Sequence, residues 1–564
     1  MKKYIAFAIL LTIAGLGFRL FLALHLPTDE PDDGRLYARI ALNVLDHRSY
    51  SIETEEPYSP TLIRVPGYPL FIAGLYAVFG RDNNRAVRVV QAALDTITCW
   101  LIALLALAWA PAGWPLDKRR RLLLIALAMA VCCPFPAIYV ATILTETCTT
   151  LLATLCALAA TLAMNAKRRA KSAGWWVLAG FSGGLATMFR PDSGLFVAAV
   201  GCTLVMAGLY RAIARWRSRT YDASEVWGGE AGRVIVRTIF FGVMLTIGFA
   251  VALGPWTIRN VRVFGVFQPI APAQANMPGE FVPRGYIQWL KTWVDDVKYT
   301  ETLEWPLDAQ PIHVEQVPEY AFDSPEERDR VAALLERYNN PPSATSQPAA
   351  TDTNSPNSKA DPQNKAAVVE PEVPDEEAAE EPETPDEEQD TADEPEETKQ
   401  AVEMTPDVDA GFAEIARERI ARHPSRFYLI VPLKRASALW FDTHSQYYPF
   451  QGELLPLAAL DRDIHQQYWL PLFMFLTLLY TVLGVSGVWV MWKDKQSRRC
   501  LLLLGLLIIP RFAFLSTMEN PEPRYVVEFF AFVVAVGSVS LTDLWDRLLQ
   551  LSRAWRRPAE QNRA

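Results

Sequence analysis

Cysteine and histidine are scarce in this sequence, and their placement excludes several kinds of site. All seven cysteines lie in or beside apolar runs, so the long polar segment has neither a disulfide framework nor a zinc-ligand spacing. The six histidines are scattered along the chain. A Walker loop, a dinucleotide fingerprint, a His-Glu-x-x-His motif and a Gly-x-Ser-x-Gly motif are all missing. The chemistries that depend on these motifs are therefore unsupported, and no nucleic-acid partner is expected.

Long apolar runs, in contrast, are abundant. Hydrophobic residues make up 51% of the chain, and they fall in runs of about 20 residues, enough to cross a ~30 Å hydrocarbon core as helices. In the first run, Arg19 and the lack of a small-residue cleavage site favour a retained span over a signal peptide. The pattern predicts an all-α polytopic membrane protein with about ten transmembrane helices: Tyr4–Leu24, Ala86–Ala110, Leu122–Val140, Ile143–Ala163, Gly174–Met188, Gly194–Tyr210, Ile235–Trp256, Tyr468–Met491, Cys500–Leu515 and Tyr525–Leu544.

The charges of the connecting loops predict the orientation. Basic loops such as Lys118–Arg121 and Arg211–Arg219 would be cytoplasmic, and the alternate loops would lie outside. This alternation requires that Gly67–Gly80, which is short for a span, is an interfacial helix within an outer loop covering residues 26–85. The prediction is a multi-pass protein of the cytoplasmic (inner) membrane whose functional site faces outward.

Three regions are predicted: a transmembrane catalytic module (1–260), an extracytoplasmic domain (261–466), and C-terminal helices with a cytoplasmic tail (467–564). Within the second region, Ser324-Pro-Glu-Glu327 is a capping box that opens a helix to about Tyr338. An insertion at 341–405 carries 19 acidic residues against three lysines, and is predicted to be disordered because it has too little apolar surface to bury. A solvated spacer is favoured there over a docking tail for a basic partner.

Charged residues cluster near the outer ends of the predicted spans, where each needs a partner or a function. For an arginine alone, contact with lipid headgroups is an equally good explanation. Glu146 has no basic residue within one helical turn, so its burial would require a distant partner. Two carboxylates and several arginines around one cavity would suit group transfer from a lipid-linked phosphate, with a carboxylate as base and arginines on the phosphate. The candidates are Asp32, Asp33, Arg64, Arg88, Glu146, Arg190, Asp192, Arg259, Glu522 and Arg524.

In their order along the chain, these residues resemble the GT-C glycosyltransferases that use polyprenyl-phosphate sugars, in particular bacterial members of the protein O-mannosyltransferase and aminoarabinose transferase type. Asp33-Gly-Arg-Leu-Tyr37-Ala-Arg-Ile40-Ala41 resembles the family element Asp-Glu-x-x-Tyr-Ala-x-Ile-Ala. Arg64-Val-Pro-Gly-Tyr-Pro-Leu70 resembles the following basic residue-Pro-Pro-Leu element.

The resemblance implies a role for each matched residue. Asp33 would be the catalytic base, and Glu146 the second acid. Gly34 stands where the family has an acid while Asp32 precedes the motif, so Asp32 is an alternative base. The implied donor phosphate-binding residues are Arg64, Arg190, Arg259 and Arg524.

The resemblance further implies a membrane glycosyltransferase of the cell envelope, for example in protein glycosylation. It would move a sugar from a polyprenyl-phosphate donor to a hydroxyl acceptor on a protein, lipid or glycan, with membrane lipids as further partners. The alternatives are an oligosaccharide ligase with a polyprenyl-diphosphate donor, and a lipid or solute transporter, although no internal repeat supports a transporter. A divalent metal is an open cofactor, because two carboxylates could bind one but no complete ligand set is visible.

Overall fold

The computed structural model describes residues 2–26, 31–217, 230–272, 276–341, 402–450, 464–495 and 497–561, and the regular secondary structure within them is helical. The first ten α-helices are α1 (Lys2–His25), α2 (Asp32–Asp46), α3 (Gly67–Phe79), α4 (Asn84–Trp109), α5 (Leu116–Val131), α6 (Pro134–Ala137), α7 (Glu146–Asn165), α8 (Arg169–Phe189), α9 (Gly194–Arg217) and α10 (Glu230–Phe264). The remaining ones are α11 (Arg284–Lys291), α12 (Val297–Leu303), α13 (Pro325–Asn339), α14 (Pro406–Arg422), α15 (Val431–Phe441), α16 (Ile464–Trp492), α17 (Arg498–Ser516) and α18 (Phe529–Gln561).

Every predicted span corresponds to a helix in this part of the chain. Eight helices are individually long and apolar enough to cross a membrane. A ninth span forms if α5 is joined to Pro134–Val140, across a 50° bend where Pro134 and Pro136 interrupt the helix. The tenth, α8, is 21 residues long but less apolar, because it contains four glycines and begins with Arg169, Lys171 and Ser172 in its first turn. The protein is thus an all-α polytopic membrane protein, as predicted.

A buried ion pair holds α1 against the bundle. The Arg19 side chain is 1% exposed, and its Nε donates to Asp95 Oδ2 of α4 over 2.5 Å. Its other N–H groups donate to the carbonyls of Gly15, Ala130 and Val131. A buried charge is tolerated when it is paired and hydrogen-bonded in this way, so the charge that interrupts the first apolar run has a structural role.

Helices α8 and α10 cross with their backbones in contact. A Cβ at Gly180 would collide with the carbonyl of Leu245, and one at Gly248 would collide with the carbonyl of Val177. Small residues allow such close approach between helices in a membrane, where packing rather than the hydrophobic effect drives association. This crossing fixes α8, whose last residues lead into the candidate site.

We expect Gly180→Ala to destabilise the protein by ~1–3 kcal/mol, because the added methyl group must push the α10 backbone away. The measurement is the melting temperature of the purified protein in detergent. Gly174→Ala is the matched control, since a Cβ there meets no atom within 4 Å and lies on the same helix. Equal melting temperatures for the two variants would contradict the close crossing.

A second hydrophobic core lies in the predicted extracytoplasmic domain. Helices α11, α13 and α14 pack around Trp289, Trp293 and Phe412. The N-cap of the predicted capping box is present, since the side chain of Ser324 accepts from the Glu327 N–H at 3.3 Å, whereas the Glu327 side chain pairs with arginines of α14. Helix α14 begins at Pro406, directly after the predicted insertion, because Thr405 caps it. Residues 342–401 of the predicted insertion lie outside the described residues.

The predicted outer loop contains two helices that pack on each other. Tyr37 of α2 and Tyr68 of α3 meet edge to face, with ring centroids 5.3 Å apart. Helix α3 has 13 residues, fewer than the ~20 that span a bilayer. Helix α2 begins at Asp32, which places the acidic motif in its first turn.

Candidate active site

Three predicted site residues from distant parts of the chain lie next to one another: Asp33, Arg64 and Arg524. Asp33 lies in the first turn of α2, Arg64 in the loop before α3, and Arg524 in the turn between α17 and α18. Arg64 Nη2 is 3.3 Å from Asp33 Oδ1, and Arg524 Nη2 is 3.3 Å from Asp33 Oδ2. Charge-assisted hydrogen bonds are usually about 2.7–2.9 Å long. The arginines are therefore close to the carboxylate without being tightly bound to it.

The two candidate bases have different surroundings. The side chain of Asp33 is 31% exposed between the two arginines, whereas that of Asp32 is fully exposed and pairs with Arg35 at 3.6 Å. Gly34 departs from the family pattern for a steric reason, because a Cβ there would lie 2.9 Å from the Ile143 carbonyl oxygen. An acid therefore does not fit at residue 34, and Asp33 is the carboxylate that faces the arginines.

Tyr37 lies one helical turn after Asp33 and lines the same side of the candidate site. Burial, reinforced by the Asp33 carboxylate, raises the pKa of the Tyr37 phenol. The hydroxyl thus stays protonated and can act as a hydrogen-bond donor. Tyr37 was part of the matched motif but was not among the predicted site residues.

Glu146, the first residue of α7, is buried and has the distant partner that its position required. Arg190 Nη1 lies 3.3 Å from Glu146 Oε1. Within the described residues, Glu146 Oε2 has no hydrogen-bond partner. A buried acceptor without a partner is costly, so this oxygen is available to a ligand hydroxyl.

A buried network behind Arg190 includes two residues that the sequence analysis missed. Arg190 also contacts Asp192 at 3.0 Å and Glu528 at 3.5 Å. Arg511 binds the same two acids, at 2.6 Å to Asp192 and 3.1 Å to Glu528. Arg511 is a lone charge in an apolar run, which is itself a signal of function or pairing. Glu528 gave the same signal, because it is a lone acid inside the predicted span Tyr525–Leu544, and it was missed as well.

Arg259 lies away from the group formed by Asp33, Arg64 and Arg524. It donates to the carbonyl of Thr61 over 2.8 Å, and its guanidinium packs over the rings of Trp256 and Phe264. It lines neither of the two cavities described below. Its contacts are those of a residue that attaches the end of α10 to the outer loop.

Two cavities meet at Asp33. The inner cavity, about 250 Å³, is lined by Tyr37, Glu146 and Arg190 among others. The outer cavity, about 1060 Å³, is lined by Glu301, Trp305 and Glu522 among others. The residues that line both are Asp33, Arg64, Arg524 and Tyr525. The carboxylate and its two arginines therefore form the boundary between a smaller space and a larger one.

A divalent metal is the cofactor that the sequence left open. Among them, no three His, Cys, Asp or Glu side chains come together as possible ligands. Asp33 and Glu146 are each paired with arginine instead. No metal site is assigned.

Beside the outer cavity, Glu304 lies against a second carboxylate. This second carboxylate belongs to Glu519, which precedes the cavity residue Asn520. Its Oε2 is 3.1 Å from Lys291 Nζ. Burial and the neighbouring Glu519 raise the pKa of Glu304 to about 8. In the folded protein, Glu304 therefore keeps its proton at neutral pH.

This raised pKa makes stability depend on pH. Above the 4.5 expected for a free glutamate, the unfolded chain loses a proton that the folded protein retains until about pH 8. Stability should therefore fall as the pH rises from about 4.5 to about 8. We expect Glu304→Gln, which mimics the protonated form, to melt higher than the wild type at pH 9 and to have a flatter pH profile. Glu315→Gln, at an exposed position of the same domain, should follow the wild type; an unchanged profile in Glu304→Gln would contradict the assignment.

Comparisons with known proteins agree with the predicted resemblance. Residues 60–221 match the family model of the dolichyl-phosphate-mannose-protein mannosyltransferases, and this match confirms the resemblance to the GT-C superfamily. The matched range includes Arg64, Glu146 and Arg190. The crystal structure of ArnT from Cupriavidus metallidurans in the apo state is similar over 95% of this chain and 78% of that chain, with 11% identity and a TM-score of 0.32, too low to support an argument. No curated protein matches the sequence significantly.

Proposed function

We propose that the protein, a membrane glycosyltransferase of the GT-C superfamily, transfers a sugar from a polyprenyl-phosphate donor to a hydroxyl acceptor on the extracytoplasmic face of the inner membrane. The observation that carries this proposal is the position of Asp33, between Arg64 and Arg524 where two cavities meet. A transferase needs a base between a donor and an acceptor, and this geometry provides that arrangement.

The donor would bind with its phosphate against the arginines. The inner cavity is bordered by the ends of α7 and α8, which are membrane helices, so a lipid-linked phosphate can reach it from the bilayer. Arg64, Arg190 and Arg524 all line this cavity. Guanidinium groups bind phosphate oxygens through paired, charge-assisted hydrogen bonds.

In the reaction, the acceptor oxygen would attack the anomeric carbon while Asp33 takes the hydroxyl proton. The bond from that carbon to the phosphate oxygen breaks, and the electron pair leaves with the polyprenyl phosphate. The phosphate changes from a singly charged diester to a monoester that carries more negative charge, which Arg64 and Arg524 stabilise. A single displacement with one base inverts the anomeric configuration.

The acceptor would bind in the outer cavity. Trp305, which is 53% exposed, offers an aromatic face, and Glu301 and Gln446 offer hydrogen-bonding groups. Glu301 and Trp305 come from the region 261–466, so this region would take part in acceptor recognition. The unpartnered oxygen of Glu146 lies on the donor side, where a sugar hydroxyl could bind it.

The test is a transfer assay on the purified full-length protein with radiolabelled polyprenyl-monophosphate sugars and, in parallel, polyprenyl-diphosphate oligosaccharides. We expect transfer or slow donor hydrolysis with a monophosphate donor. Turnover of diphosphate donors alone would favour the oligosaccharide ligase, and donor flipping in vesicles without any turnover would favour a transporter.

A further inference from the structure

A third cavity lies at the opposite end of the bundle from Asp33. Helices α7, α8 and α9 each have one end beside the candidate active site. These ends lie at Glu146 for α7, next to Arg190 for α8 and at Gly194 for α9. Their other ends, with the start of α10, enclose a space of about 310 Å³. On α9, Arg211 at the cavity lies 17 residues after Gly194, and a rise of 1.5 Å per residue separates the two by roughly 26 Å. The two sites therefore lie on opposite sides of the membrane.

Four arginines line this cavity. Arg211 and Arg215 come from α9, and Arg233 and Arg237 come from α10. Arg499 of α17 lies close enough to act electrostatically on Arg211. Like charges gathered around one space repel one another, and an anion bound between them would relieve this repulsion.

Carboxylates among the described residues compensate this charge incompletely. Arg215 pairs with Glu230 at 3.7 Å, and the Arg237 guanidinium lies over the Phe241 ring at 5.3 Å. Within the part of the chain that the structure describes, neither Arg211 nor Arg233 forms an ion pair with a carboxylate. These two arginines are on different helices, so together they can bind an anion from two sides.

The other walls are apolar and suit a lipid. Trp176, Leu204 and Phe241 line the cavity beside the arginines. Next to it on α9, the aromatic side chains of Tyr210 and Trp216 are strongly exposed, as is typical of residues at a membrane–water interface. Basic cavities between transmembrane helices on the cytoplasmic side bind the headgroups of anionic lipids.

We propose that this cavity binds a phosphate group, carried by an anionic phospholipid whose acyl chains lie along α9 and α10. Arg211 and Arg233 hold the phosphate oxygens, and the apolar wall contacts the glycerol end of the lipid. The site is separate from the proposed transfer reaction and does not depend on it.

The experiment measures binding to the full-length protein in detergent, by native mass spectrometry and by the shift of the melting temperature. The probes are short-chain phosphatidylglycerol, short-chain phosphatidylcholine and inorganic phosphate. We expect phosphatidylglycerol to bind saturably and phosphatidylcholine about tenfold more weakly. Arg211→Gln and Arg233→Gln should each weaken binding about tenfold or more, the loss expected for one charge-assisted hydrogen bond.

The controls separate the cavity from general charge effects. Arg217→Gln removes a charge from the same helix at an exposed position outside the cavity, and should bind like the wild type. Arg233→Lys keeps the charge, so it should retain most of the binding if the variant is folded, as its melting temperature without lipid will show. Saturable binding of inorganic phosphate with the same dependence on Arg211 and Arg233 would support the anion site and identify free phosphate as the ligand. Absence of saturable binding by either anion, or an equal loss in Arg217→Gln, would overturn the proposal.

Discussion

Asp33→Asn is expected to reduce the rate of sugar transfer by about 10²–10⁴-fold, the usual contribution of a general base. Asparagine has nearly the same shape as aspartate but cannot accept the acceptor's proton. The substitution also leaves Arg64 and Arg524 without the carboxylate that lies 3.3 Å from each. Donor binding should therefore be unchanged or tighter, so the loss should appear in kcat while the KM for the donor does not rise.

Asp32→Asn is the matched control for this prediction. Asp32 is the neighbouring residue on the same helix, its side chain is fully exposed, and its contact with Arg35 is long, at 3.6 Å. Exposed ion pairs of this kind contribute little, so we expect kcat within about twofold of the wild type. A large loss in Asp32→Asn with normal turnover in Asp33→Asn would reverse the assignment of the base.

The sequence indicated the helices well because their signal is local. An apolar run of sufficient length predicts a span wherever it lies in the fold, and each predicted span corresponds to a helix. Helix ends were less accurate. The last helix begins at Phe529 and not at Tyr525, because the turn at Pro523–Val526 holds Arg524 outside the helix and beside Asp33.

The site could be predicted only where motifs identified it. Asp33 and Arg64 lie in the matched motifs, the same resemblance implied Arg524, and the structure brings the three together. The resemblance implied Arg259 in the same way, but its guanidinium packs over the rings of Trp256 and Phe264, away from both cavities. Such a difference depends on the direction of one side chain at the end of α10, which residue spacing does not encode.

Arg511→Met is expected to destabilise the protein by about 3–5 kcal/mol, the usual effect of removing one partner from a buried ion pair. The Arg511 guanidinium is fully buried and lies 2.6 Å from Asp192 and 3.1 Å from Glu528. Methionine fills a similar volume but leaves two buried carboxylates with Arg190 as their remaining arginine partner. The melting temperature should fall clearly, and transfer should fall with it, because Asp192 and Glu528 also contact Arg190 at the inner cavity.

A second substitution distinguishes lost charge pairing from lost packing. In Arg511→Met with Glu528→Gln, one of the two stranded charges is removed, so part of the lost stability should return. Coupling between contacting residues is typically about 0.5–3 kcal/mol. Arg498→Met is the matched control, because Arg498 starts the same helix at an exposed position and should tolerate the change. If the effects of Arg511→Met and Glu528→Gln simply add, the stability of this region depends on packing around α17, and Arg511 does not act by neutralising the acids behind Arg190.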